Sequence, residues 1–167
     1  MALANAQRHL TWCKKTAQAI EFRNPSTNVV RAHITQAREA IQSMDLNRGA
    51  GSVTWTLIPS YYAKYHAVTA LFEEFGIKCE NHACAVTLFE YLFDNYVTQN
   101  DIDDFAASKD QRIDAQYYSA VTNVDLDEVA NQTKRFVLDI EQLLDDFRAG
   151  RQQKNVVEQR INVLKSW

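Results

Sequence analysis

The sequence predicts an all-α fold: an antiparallel up-and-down bundle of four to five core helices, with an additional helix at each end. Three observations predict it. Apolar residues recur at alternating steps of three and four along several segments, the spacing of one buried helical face, whereas a strand would repeat every second residue. Turn formers are scarce, four Gly and two Pro in 167 residues, while a many-stranded protein needs a turn every ten or so residues. Hydrophobic residues make up 46% of the chain, enough for a real core in one domain of this length without disulfides.

The elements follow in order. Leu3, Ala6, Leu10, Cys13, Ala17 and Ile20 share one helical face. That helix should stop near Arg23, because Pro25 disfavours helical geometry at the residue before it, and Asn24 or Ser26 can cap the next. Val30, Ile34, Ala37, Ile41 and Met44 mark the second helix, ending at the glycine-containing loop DLNRGAGS (45–52). The third is the most apolar. Trp55, Ile58, Tyr62, Tyr65, Thr69 and Phe72 form one stripe, and Tyr61, Val68, Leu71 and Phe75 a second. Two apolar faces mark a central helix. Pro59 is expected in its first turn, or else to kink it, and Gly76 closes it.

A fourth helix follows GIKCEN, with Val86, Phe89, Phe93 and Tyr96 inward. After the polar stretch TQNDIDDF (98–105), Ile102, Phe105, Ile113, Tyr117 and Ala120 suggest a weaker, broken helix. Asp125 and Glu128 have capping-box spacing. They open a helix carrying Leu126, Val129, Thr133, Phe136, Ile140, Leu143 and Phe147, stopped by Gly150. Val157, Ile161 and Leu164 mark the last amphipathic stretch. Helices of about 18–24 residues are roughly 27–36 Å long, and short loops between them give an antiparallel bundle with no sheet. No repeat or linker divides the chain.

Eighteen Lys and Arg face 21 Asp and Glu, for a formal net charge of -3. A whole-protein basic field for capturing nucleic acid is therefore absent. Cys13, Cys79 and Cys84 are odd in number and form no regular framework, which predicts reduced, buried thiols and a cytoplasmic protein. The N-terminus has no uninterrupted apolar run, so no signal peptide is expected. No stretch approaches the roughly 18 apolar residues of a membrane span. The spacing Cys79-x2-His82-x-Cys84 fits no common zinc pattern. No metal or cofactor is expected, and His82 should open the fourth helix. Asp101, Asp103 and Asp104 lack the glycine and distal Glu of a calcium loop and read as a solvated helix start.

Three pieces of the chain carry a resemblance. SYYAKYHAVTALF (60–72) is similar to A-Y-Y-A-x-[FY]-H-A-x-x-A-L-L. GIKCENHACAVTLF (76–89) is similar to G-I-x-x-x-x-H-x-x-x-x-x-L-F. Arg112, Ala115 and Tyr117 are similar to R-x-x-A-D-Y, with Gln116 in place of Asp. These patterns are those of the HEPN family of helical bundles, and Trp55 with the spelling GIKCENHAC resembles its archaeal members. The resemblance implies one domain over 1–167, with a HEPN-like core at about 27–148 and additional helices at 3–23 and 151–166. It also implies a homodimer, nucleotide or RNA chemistry, and often a small nucleotidyltransferase partner in a toxin–antitoxin pair.

Active HEPN ribonucleases resemble one another in an Arg followed, after four to six residues, by His. Arg holds the scissile phosphate with a forked, permanently charged donor, and His takes the proton from the ribose 2′-OH. Here His66 matches the motif histidine, but the positions for the Arg hold Pro59, Ser60 and Tyr61. Val68 stands where some members carry a Tyr that a partner enzyme modifies. Arg112 or Arg48 could bring the charge from elsewhere. The resemblance thus implies catalytic candidates His66, Arg112 and Arg48, and ligand-binding candidates Tyr62, Tyr65, His66 and His82. It favours a non-catalytic HEPN-like protein that binds a nucleotide, an RNA or a partner. The alternatives are a metal-independent ribonuclease with an altered Arg-His site, and a purely structural assembly partner.

Overall fold

Ser26, Asn81, Thr98 and Asp125 set where four of the helices begin, each accepting a backbone N–H with its side chain. The computed structural model describes residues 2–16, 19–118 and 123–167. Within these, α1 spans Ala2–Lys15, α2 Thr27–Gly49, α3 Val53–Glu74, α4 His82–Phe93, α5 Gln99–Ile113, α6 Leu126–Arg148 and α7 Asn155–Ser166. Ala17 and Ala120, expected in helical stripes, lie outside the described residues. The expected all-α bundle is present. The three-residue loop 50–52 folds α2 and α3 into an antiparallel pair.

α3 is central. It packs on α2, α4, α5 and α6, and both its apolar stripes are covered except at Trp55, with Tyr61, Ala67, Val68, Leu71 and Phe72 fully buried. Helix α4 also has two faces. Ala85, Leu88, Phe89, Leu92 and Phe93 enter the core. Cys84, Thr87, Tyr91 and Asp94, at helical spacing, meet the terminal helices instead: Cys84 is bonded to Cys13 and Thr87 hydrogen-bonds His9, both on α1. Tyr91 packs on Trp167 at 5.3 Å, and Tyr91 and Asp94 engage Arg160 of α7.

Several expectations are corrected. α1 ends at Lys15, short of Arg23, because the chain turns into a two-residue strand, β1 (Glu21–Phe22), which pairs antiparallel with β2 (Ile77–Lys78). A minimal ladder thus exists where no sheet was expected. Arg23 N–H donates to the Gly76 carbonyl at 2.8 Å, and Gly76 adopts φ +71° beneath Arg23 and Pro25, a conformation open to glycine without steric cost. α2 continues to Gly49, five residues into the segment read as a loop. α3 begins six residues before Pro59, so the proline is interior and Trp55 loses a helical donor for its carbonyl. The polar stretch at 98–105 is already helical: Thr98 and Asp101 form a capping box. A π-helical turn, Asp114–Tyr118, replaces the expected break.

Cys13 and Cys84 form a disulfide across a sequence separation of 71, correcting the expectation of reduced thiols at those two positions. Cys79 is free and buried.

Candidate functional site

Four elements converge on one wall of α3. Tyr61, Tyr62, Tyr65 and His66 occupy two adjacent turns of α3, His33 comes from α2, and His82 is the first residue of α4. Asn81 fixes His82 there by accepting the N–H groups of Ala83 and Cys84 at 3.0 Å each. Arg112 arrives from the last turn of α5, and Gln116 of the π-helical turn follows it.

The geometry is dense. Tyr61 Oη lies 2.7 Å from His82 Nδ1, and the Tyr65 hydroxyl donates to the Cys79 carbonyl at 2.9 Å, tying down the approach to α4. The Tyr65 and His82 rings are 4.5 Å apart. His66 bonds His33 Nδ1 to Nδ1 at 3.1 Å, so one imidazole donates and the other accepts. Tyr62 and Tyr65 flank His66 at 6.2 and 5.7 Å between ring centroids.

Arg112 is only 9% exposed. Its guanidinium carbon lies 5.3 Å from the Tyr61 ring centre and 5.9 Å from that of Tyr62, within cation–π range. Its Nη1 donates to Gln116 Oε1 at 3.0 Å, while its Nε is buried without a partner. A buried, unpaired guanidinium N–H is costly, and it is the kind of donor that an anionic ligand atom would satisfy.

Electrostatics keep the histidines neutral. Burial, with smaller contributions from His33 and His82, pushes the His66 pKa down to about 4. Burial chiefly lowers His33 as well, and His82 is lowered by burial and by the charges of Arg112 and Lys109. Burial holds the Tyr61 and Tyr65 phenols protonated, Tyr65 pushed up to about 12.

The structure therefore brings Tyr62, Tyr65, His66, His82 and Arg112 together. It does not bring Arg48. That guanidinium is held by Asp127 and Asp45. Fifteen residues separate it from His33 on α2, about 22 Å at 1.5 Å per residue, so Arg48 is set aside as a partner for His66. Nor does Arg112 pair with His66: its charge falls on the Tyr61 and Tyr62 faces and on His82.

Sequence reasoning missed His33, which lies three residues after Val30 and four before Ala37, inside the apolar stripe of α2. A histidine in such a stripe needs an inward partner, and that was the available signal. It also missed Lys64, 3% exposed, whose Nζ meets Asp104 Oδ1 at 2.7 Å. Asp104 is thus a structural counter-ion and not part of a solvated helix start.

An all-α bundle with a histidine–tyrosine wall at its central helix defines the class of protein, and comparison gives the family. The model of the HEPN domain matches residues 30–148, which runs from Val30 in the first turn of α2 to the end of α6. The chain belongs to the HEPN family, and membership points to a nucleotide- or RNA-related role. No curated protein matches it.

Proposed function

We propose that this protein binds a nucleotide or the end of an RNA strand at the His66–Tyr62–Arg112 wall and does not cleave it. One observation carries the reading: His66 is spent on His33 at 3.1 Å and held neutral, with a pKa near 4, while Arg112 lies on tyrosine faces. A general base works best with a pKa near the operating pH, so a histidine this weak is poorly suited to take a proton from a ribose hydroxyl. Charge stabilisation at the phosphate is often the largest catalytic contribution, and the two arginines considered for it are engaged elsewhere, Arg112 on tyrosine faces and Arg48 on Asp127 and Asp45.

Binding is better supported. Arg112 offers an unpaired buried Nε to a phosphate, and half-buried Tyr62 offers a face on which a base can stack. Lys109, close enough to depress His82, adds positive potential in an otherwise acidic chain. A nucleotidyltransferase companion fits the same reading as a proposal drawn from the family. Homodimerisation, which the resemblance implies, is proposed too: Leu46 (77% exposed) and Trp55 (60%) flank the α2–α3 loop and offer an apolar site for a second copy.

The test has two arms. Fluorescence anisotropy with a labelled single-stranded RNA and competing mononucleotides should show binding that Arg112→Gln weakens by about tenfold, an interaction of about 1.4 kcal/mol. Incubation of generic RNA with chelator should leave it intact with wild type and His66→Ala alike. Cleavage by wild type that disappears in His66→Ala establishes the ribonuclease alternative. Absence of binding together with absence of cleavage leaves the assembly-partner alternative.

A further inference from the structure

We propose that the reduced form of this protein holds a divalent cation of the zinc class at the joint between α1 and α4, on His9, Cys13 and Cys84. The site is separate from the His66 wall and does not depend on the reading given to it. His9 and Cys13 stand one turn apart on one face of α1, and Cys84 enters from the first turn of α4. One ligand atom from each lies within 4.8 Å of the other two.

The donor set suits that ion. Two thiolates and an imidazole are the ligands that a borderline-soft, tetrahedral cation selects. His9 Nδ1 lies 2.7 Å from Thr87 Oγ1. With Nδ1–H donated to that hydroxyl, the lone pair sits on Nε2, and this hydrogen bond fixes the ring as the outer partners of zinc-bound histidines do. Cys84 lies in the first turn of α4, where the helix dipole favours a thiolate. Both cysteines are fully buried, so two thiolates alone would be a costly pair of buried charges, and a divalent cation cancels them. His9 is half-buried, leaving the fourth position to a water molecule. The Cα separation of 6.0 Å between Cys13 and Cys84 leaves room for a cation between the sulfurs.

The chemistry balances. A dithiol reductant gives two electrons and two protons to the Cys13–Cys84 disulfide, which opens to two thiols while the reductant leaves as its own disulfide. The cation then displaces one proton from each thiol, and two protons go to solvent. α1 stays tied to α4 in both redox states, by a covalent bond in one and by coordination in the other. Cys79 takes no part. Its thiol is directed to the Asn81 carbonyl at 3.7 Å, and burial pushes its pKa up to about 12.

The experiment uses the full chain, reduced with a phosphine, stripped of metal and titrated anaerobically with Co2+ and then Zn2+. The expected result is one equivalent of Co2+ giving thiolate charge-transfer bands and intense tetrahedral d–d bands, both erased by Zn2+, with two protons released. Cys13→Ser and Cys84→Ser should abolish the bands, and His9→Ala, which leaves both thiols in place, should weaken binding at least about tenfold. Cys79→Ser should change nothing, and the oxidised protein should bind no ion. Circular dichroism confirms that each variant is folded. Absence of thiolate–Co2+ bands in the reduced wild type overturns the proposal. Bands that survive His9→Ala at full affinity, or that vanish with Cys79→Ser, overturn it as well.

Discussion

Breaking the Cys13–Cys84 bond is the perturbation whose size follows most directly from the structure. The bond closes a loop with a sequence separation of 71. In the chain-entropy account, crosslinking a loop of that length removes roughly 15 cal/mol/K from the unfolded ensemble, about 4.4 kcal/mol at 25 °C. For a chain of this size, each kcal/mol moves Tm by roughly 2–4 °C, so the reduced protein should melt about 10 °C or more below the oxidised one. The assay is urea denaturation of the Cys13→Ser/Cys84→Ser double variant and of reduced wild type, both with chelator so that no cation restores the joint. Thiol counting in denaturant should find one thiol, Cys79, in the oxidised protein and three after reduction. Because a crosslink acts mainly on the unfolded state, helical content at low urea should be unchanged while the midpoint falls. A difference under about 1 kcal/mol between the oxidised and reduced protein would refute the reasoning. So would three reactive thiols in protein that has never met a reductant.

Three further outcomes are expected. Stability should fall as pH drops from about 6.5 towards 4, because the unfolded chain takes up protons that folded His66 and His33 refuse; the ideal figure of about 3 kcal/mol for His66 shrinks to about 1–2 kcal/mol for a half-buried ring, and an NMR titration placing His66 near 6.5 would contradict it. Asp104→Ala, which strands the buried Lys64 ammonium, should cost about 3 kcal/mol in denaturant melts, and adding Lys64→Met should recover most of it; equal losses in the single and double variants would argue against the pairing. Gly76→Ala should cost about 2–3 kcal/mol, since it combines a left-handed conformation with a Cβ that overlaps the Arg23 carbonyl oxygen; a neutral result would mean that the β1–β2 clasp moves freely.

Much of the bundle was legible because its information is local. The three-four rhythm from Val30 to Met44 and from Leu126 to Phe147 sits in consecutive residues, and α2 and α6 appear where it stands. Asp125 was legible as a cap, although Glu128 turns to Gln132 instead of closing the box. What failed is non-local. The disulfide joins two residues with no shared period, and β1 exists only because Ile77 and Lys78 arrive beside it. Pro59 sits mid-helix because the tertiary contacts of α3 outweigh one lost backbone bond. The same division holds at the candidate site. His66, Tyr62 and Tyr65 share one helix, and a single face of it predicts their neighbourhood. Arg112 reaches them across the bundle, and the preference of its guanidinium for tyrosine faces over His66 is a matter of angstroms that no spacing encodes.

The outward face of α4 has a consequence for how this protein can be divided. Cys84, Thr87, Tyr91 and Asp94 are occupied by α1 and α7, both of which lie outside the residues that match the family. A fragment cut to the 30–148 borders would therefore carry a helix with one flank stripped. A bridging cysteine would be left alone there, beside an unsupported tyrosine and an acid without its arginine. Ancestry and cooperativity draw different boundaries in this chain. The segment that descent identifies is shorter than the cooperative unit, because α1 and α7 cover a flank of α4 that the matched residues leave open.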